Sequence, residues 1–359
     1  MAWRNVWRTP RRTGIVVTAV AVGISGALLA MAINYGMADQ MVETAIRTEL
    51  GHVQIHAVGY DANPELKVRI GDGGRELEKI LAATPEVLAW ARRVRGDGLV
   101  TSTRASVGVR IVGIEPEREA AVSAIARSIT AGSYLGAERR RVIIGERLAR
   151  RLHVGIGDKI VVSATDLTGD IAGEGVRVGG LFHTPSAPLD SGTIFLPLAD
   201  SQKLLSLDDA ISEVVVVGRR RDRVDELRAS LGATVADHEV RSWKEIQPVL
   251  DHIVSLFDEI GYVFYGIVFV AMVFGIANVL LMAVYERVRE IGILMAIGMS
   301  RKRIAAAVVF ESMIVTAIGL LAGYAIALAA LAGLADGIDL SVFGEGLEAL
   351  GVGDRKSVV

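Results

Sequence analysis

The sequence predicts an α-helical membrane protein that carries a mixed α+β domain outside the bilayer. Three observations predict it. Three apolar runs are long enough to cross a membrane. A long segment with alternating strand and helix patterns separates the first two runs. The charges at the ends of the runs differ in sign from one side to the other. Composition agrees: the 359 residues are 51% hydrophobic, with a mean hydropathy of +0.42. That is apolar for a soluble chain and too polar for one wholly within lipid.

The runs are 14–33 (GIVVTAVAVGISGALLAMAI), 261–284 (GYVFYGIVFVAMVFGIANVLLMAV) and 304–334. A helix of about 20 residues crosses the hydrocarbon layer. The first run follows the basic start MAWRNVWRTPRR. It reads as an uncleaved anchor, because its apolar core outruns the roughly 7–15 residues of a signal peptide. Arg4, Arg8, Arg11 and Arg12 flank the first run, and Arg287, Arg289, Arg301, Lys302 and Arg303 lie between the second and third. Acids mark the opposite ends: Asp39 and Glu43, then Asp251, Asp258 and Glu259, then Asp336 and Asp339. Basic loops stay on the cytoplasmic side. Segments 1–13 and 285–303 are therefore expected inside, and 34–260 and 335–359 outside.

The exterior segment begins and ends as helix. Met37, Met41 and Ala45 recur every four residues, and Leu250, Ile253, Phe257 and Ile260 continue the pattern before the second run. Both read as stalks rising from the membrane. Between them strands are expected at 52–56, 141–144, 158–163, 176–178, 193–196 and 213–217. Helices are expected at 146–152 and 222–231, the latter burying Val224, Leu227 and Leu231. His52 and His56 share one strand face and read as exposed, since a metal site needs further ligands. GEGVRVGG (173–180) reads as a hairpin turn.

Several chemistries have no residues to carry them. The chain has no cysteine, so thiol and disulfide chemistry are absent. It has no GxSxG elbow and no GxxxxGK[ST] phosphate loop. Any ATP hydrolysis is expected on another polypeptide. A net charge of −2 gives nucleic acid no electrostatic purchase.

Within the spans, small residues recur at four-residue intervals: Gly23 and Ala27, Ala271 and Gly275, Gly319 and Gly323. Such faces let helix backbones approach closely in lipid, and the Gly319/Gly323 pair is the strongest case. Glu311 is the one charge in the third span. It reads as a bond to a neighbouring helix, with Asn278 as the partner.

Segment 285–303, YERVREIGILMAIGMSRKR, is longer than a connector needs to be. Val288, Ile291, Met295 and Met299 fall on one helical face. Glu286 with Arg289, and Arg287 with Glu290, are i,i+3 pairs. Gly292 and Gly298 each weaken a free helix by about 1 kcal/mol relative to Ala, which points to close approach to a partner or to a bend. The pattern allows a helix lying on headgroups or a helix docked on a protein.

ERVREIGILMAIGMSRKRI resembles the loop between spans two and three of FtsX-like, MacB-type (type VII) ABC permeases. AWRNVWRTPRRT resembles their N-terminal amphipathic segment. RVIIGERLARRLHVGIGDKIVV and TIFLPLADSQKLL resemble their periplasmic core domain, and GHVQIHAVGYD resembles the lipoprotein-releasing LolC/LolE branch. The resemblance implies an inner-membrane permease, not an enzyme, that binds no cofactor. Its implied partners are a separate ABC ATPase subunit that uses ATP, a second permease in a homo- or heterodimer, and membrane lipid. A periplasmic lipoprotein carrier or membrane-fusion protein is a further implied partner. It implies transport by mechanotransmission, with lipoprotein release or export as the task. An FtsX-like relay to a periplasmic partner such as a cell-wall hydrolase, or a drug or peptide exporter, are the alternatives, and the size of 34–260 favours an exporter. It assigns ATPase docking to Glu286, Arg287, Val288, Arg289, Glu290, Ile291, Gly292, Leu294, Met295, Gly298 and Met299. One departure stands out: the family has four spans and only three are present. The tail 335–359, ending in DRKSVV, is expected to be a truncation that stops before the fourth.

Overall fold

The computed structural model describes residues 10–60, 66–136 and 139–334. Most of the expected N-terminal amphipathic segment, and the whole of the tail 335–359 with its expected truncation, lie outside the described residues. The chain divides into two compact units. One holds the spans, with described residues 10–38 and 252–334. The other is Asp39–Asp251, slightly shorter than the exterior segment read from charge and hydropathy.

Helix α1 (Pro10–Ala45) runs unbroken from the first apolar run into the polar residues beyond it. It ends in a π-helical turn, Ile46–Leu50. In the second unit Met41, Val42, Ile46 and Leu50 of this segment are buried, so the last turns of the stalk are part of the domain core.

The domain then alternates β1 (Val53–Ala57), α2 (Arg75–Ala83), β2 (Val87–Thr101), β3 (Ser106–Ile114), α3 (Pro116–Val122), β4 (Ile129–Gly132), β5 (Arg141–Gly145) and α4 (Glu146–Leu152). It continues with β6 (Lys159–Thr165), β7 (Ile171–Phe182), α5 (Ala187–Gly192), β8 (Thr193–Pro197), α6 (Leu198–Leu204), β9 (Glu213–Gly218), α7 (Val224–Thr234), β10 (His238–Ser242) and α8 (Trp243–Ile246). The described strands form one mixed sheet in the order β10-β1-β9-β2-β3-β8-β5-β7-β4, and β6 pairs with both β2 and β7. That double pairing closes β2, β3, β8, β5, β7 and β6 into a ring. β2 is long enough to serve both parts. Its first half pairs with β9 in the open sheet, and Gly98–Thr101 pairs with β6 in the ring. Closure leaves the six ring strands paired on both sides, while β10 and β4 remain the ends of the sheet.

Local chemistry explains the helices. Val224, Leu227 and Leu231 of α7 are all buried, on the face their spacing predicts. Ser242 and Glu245 form a capping box at α8, which satisfies two otherwise unpaired backbone donors.

Two expectations need correction. β1 is buried on both faces, His52 and His56 included. It lies between β10 and β9, so its polar residues are bonded within the protein. The Gly218 N–H donates to His52 Nδ1 at 2.9 Å, and Gln54 donates to the Leu50 carbonyl at 2.9 Å. Residues 173–180 are not a hairpin turn but the interior of strand β7. Glycine there allows close packing: a Cβ on Gly180 would lie 2.4 Å from the Ser133 carbonyl oxygen.

A buried ion cluster ties the stalk to the sheet. Arg93 faces Glu119 and Glu213, and Arg95 joins Glu213 to Glu49 at 2.8 and 3.0 Å. Arg110 reaches Glu49 at 2.6 Å, and Arg93 also donates to the Glu49 carbonyl. Burial alone would raise the Glu49 carboxyl, but Arg95 and Arg110 outweigh it and hold it below the usual carboxylate range. Charges as deep as those of Arg93, Glu119 and Glu213 persist only when paired. Nearer the surface, Arg221 adds bonds to Asp39 and Glu43 at 3.0 Å each.

The remaining helices are α9 (Pro248–Glu286), α10 (Val288–Ala296) and α11 (Arg301–Gly333). α1, α9 and α11 each contain a segment long and apolar enough to span a membrane.

Candidate coupling site

The segment from Glu286 to Arg301 is built from two helix breaks and a short helix. At Arg287 the backbone leaves helical geometry (φ −106, ψ 11). Its N–H still bonds the Val284 carbonyl, while its own carbonyl accepts from Ile291 at 2.9 Å. One residue thus ends α9 and opens α10. At the other end Gly298 takes φ +95, a conformation that costs glycine little and other residues much. Gly298 donates to the Met295 carbonyl and Met299 to the Leu294 carbonyl, both at 3.0 Å. This is a Schellman termination. Ser300 then caps α11 in extended geometry. Gly292, by contrast, sits inside the continuous helix with no heavy atom near its missing Cβ.

The structure leaves α10 uncovered. Val288, Leu294, Met295 and Met299 are exposed apolar side chains, as are Ile293 and Ile297. Ile291 is partly covered, and Glu286, Arg289 and Glu290 are at the surface. Exposed apolar surface rimmed by charge marks an interaction site with protein or membrane.

Arg287 differs from the other residues assigned to docking. Its Nη1 lies 3.2 and 3.1 Å from the two carboxylate oxygens of Glu311, and both side chains are only about one-fifth exposed (21% and 22%). The sequence alone pairs Glu311 with Asn278. The structure instead gives Glu311 an arginine, and Asn278 is exposed on α9. An acid within a span calls for a nearby base, but the sequence does not say which one.

Gly319 and Gly323 are buried on α11. A Cβ on Gly319 would lie 2.8 Å from Val20 Cβ, and one on Gly323 would lie 2.7 Å from the Ala21 carbonyl oxygen. These glycines bring the α11 backbone against α1. Gly23 and Gly275, the other small-residue positions of this kind, have no atoms nearby. Among the described residues, no group of three or more His, Asp or Glu converges as metal ligands would.

Residues 13–234 match the family of the MacB-like periplasmic core domain, and residues 262–347 match the FtsX-like permease C-terminal family. The chain belongs to the MacB/FtsX family of ABC-transporter permeases. It is a membrane protein of that transporter family. LolC of Neisseria meningitidis, a lipoprotein-releasing system transmembrane protein, is 24% identical over 80% of this chain and 69% of its own length. PvdT of Pseudomonas aeruginosa, a pyoverdine export ATP-binding/permease protein, is 23% identical over 91% of this chain. MacB of Hyphomonas neptunium, a macrolide export ATP-binding/permease protein, is 25% identical over 91%. The chain spans 50% and 52% of the lengths of these last two relatives. Among solved structures, the periplasmic region of MacB from Actinobacillus actinomycetemcomitans matches at 11% identity and a TM-score of 0.41. That match covers 59% of this chain and 97% of the other. The extracellular domain of the ABC-type transporter YknZ from Gram-positive bacteria matches at 13% identity and 0.39, over 53% and 99%.

Proposed function

We propose that this permease is the membrane subunit of an ATP-driven machine that releases or exports lipoproteins from the inner membrane. An ABC ATPase on a separate subunit acts on the exposed apolar side of α10. The push is delivered to the periplasmic domain through helices continuous with the spans, so substrate need not cross the bilayer. The chain works as a dimer with a second permease and hands its cargo to a periplasmic carrier. The observation that carries this reading is α10 itself: a short, doubly terminated helix with Val288, Leu294 and Met295 uncovered beside surface charges. The likeness to LolC supports lipoprotein as cargo.

A second reading is export of a drug or peptide with a membrane-fusion protein. Relatives named for macrolide and pyoverdine export support it, at nearly the same identity and over more of this chain.

Reconstitution decides between them. Proteoliposomes containing the full chain and its ATPase subunit are loaded with an acylated lipoprotein and offered a soluble lipoprotein acceptor. The proposal predicts ATP-dependent transfer to the acceptor. ATP-dependent movement of a macrolide without lipoprotein transfer contradicts it and establishes the second reading.

A further inference from the structure

We propose that the Arg287–Glu311 ion pair is a positioning device. It fixes α10 to α11, so that a push on α10 reaches α1 through α11. The inference rests on the reading that α10 receives the push from the ATPase.

The first observation is where Arg287 sits. It is the single non-helical residue between α9 and α10, and its backbone serves both helices. A joint of one residue has few restraints of its own, so its side-chain bond largely sets the angle between the helices. The second is the geometry of that bond. One guanidinium nitrogen sits between both oxygens of Glu311, ten residues into α11 from Arg301. Both side chains are about four-fifths covered, so a charge-assisted contact of this kind is stronger and more directional than at an open surface. An intramembrane carboxylate left alone is costly, so the pair resists opening.

The third observation lies further along α11. Gly319 follows Glu311 by about two turns and Gly323 by about three. Both seat the α11 backbone directly on α1, at Val20 and Ala21. α11 is therefore held at one end by the joint of α10 and along its length by α1. α9 meets α1 at the end away from α10, where Asn34 donates to the Phe257 carbonyl at 3.3 Å and Gly261 lies beside Asn34; nearer α10, a Cβ on Gly266 or Gly275 would meet no atom within 4 Å. A continuous set of packed contacts thus runs from α10 through Arg287, Glu311, Gly319 and Gly323 to α1. Arg287 is committed to this contact rather than to docking.

The chain has no cysteine, so spin labels can be placed cleanly. Labels at Ile293→Cys and Met313→Cys, both exposed, report the separation of α10 from α11. Labels at Ile15→Cys and Leu321→Cys, also exposed, report the packing of α1 on α11. The full chain is measured in lipid nanodiscs without any ATPase. The native chain is expected to give one narrow α10–α11 distance. Arg287→Gln and Glu311→Gln should each lose that peak while keeping the α1–α11 distance, and the exchange Arg287→Glu with Glu311→Arg should recover it. Retention of the narrow peak in both single variants would overturn the proposal, as would failure of the exchange to restore it. Loss of the α1–α11 distance in the single variants would also overturn it, since the pair would then serve only to hold the fold. Because no ATPase is present, these outcomes are independent of whether α10 docks one.

Discussion

The Arg93 guanidinium forks onto Glu119: Nε and Nη2 donate to the two carboxylate oxygens at 3.0 and 2.6 Å. Both side chains are sealed from water. Removing one partner strands a buried charge, which costs about 3–5 kcal/mol. Glu119→Ala should therefore lower the unfolding midpoint sharply, whereas Arg93→Met combined with Glu119→Leu should cost much less. Denaturant titration of the full chain, followed by the fluorescence of buried Trp243, reads both.

Close packing of α11 on α1 predicts a graded response to added volume. Gly323→Val places a side chain where the Ala21 carbonyl oxygen is 2.7 Å away. Overpacking of this kind costs about 1–3 kcal/mol. Gly275→Ala, where nothing lies within 4 Å, should be neutral or slightly stabilising. Melting temperatures in detergent compare the two directly.

Buried histidines predict acid sensitivity of the α+β domain. Burial is the main cause that pushes both His52 and His56 below the ordinary histidine value. His52 Nδ1 also accepts the Gly218 N–H, which a protonated nitrogen cannot do. With the folded value depressed, the unfolded chain binds more protons in acid. Stability is then full above the unfolded pKa of about 6.5 and falls as pH drops below it toward the depressed folded value. Unfolding free energy measured from pH 7.5 to 5.5 should decline, and His56→Gln should flatten the decline. A stability that rises on acidification would contradict this account.

Glu49 adds a second, more acidic step. Burial pushes its carboxyl up, but Arg95 and Arg110 together hold it low. The stability it contributes is present above the unfolded value of about 4.3 and is lost as pH falls toward the lower folded one. Glu49→Gln should remove that step without changing the one near neutrality.

Much of this architecture is legible because periodicity survives in single sequences. The three apolar runs all lie in long helices, and α4 and α7 lie where apolar spacing puts them. Long β2 escapes sequence reasoning for a physical reason. Its sequence VLAWARRVRGDGLVT carries three arginines, and charge in a strand reads as surface until the partners are known. Those partners, Glu49, Glu119 and Glu213, lie far along the chain. β1 is readable in place but not in burial, because alternation cannot reveal that its polar side chains find partners inside the protein, Gln54 at the Leu50 carbonyl and His56 against Tyr60. At the coupling site spacing places Val288, Ile291 and Met295 on one helical face, but Met299 lies beyond the end of α10, and Ile293 and Ile297, off that face, are exposed as well. The inward turn of Arg287 is not readable, since the i,i+3 rule offers it Glu290 and only the fold brings Glu311 near.

The central claim is that α10 is the surface on which an ATPase acts. In the otherwise cysteine-free chain, single cysteines are placed in turn from Arg287 to Met299 and crosslinked in membranes that contain the ATPase subunit. The account predicts crosslinks at Met295 and at the other exposed positions of the apolar face, and none at Arg287→Cys. Absence of any crosslink to the ATPase across the whole series, with the complex present in the membranes, would contradict it.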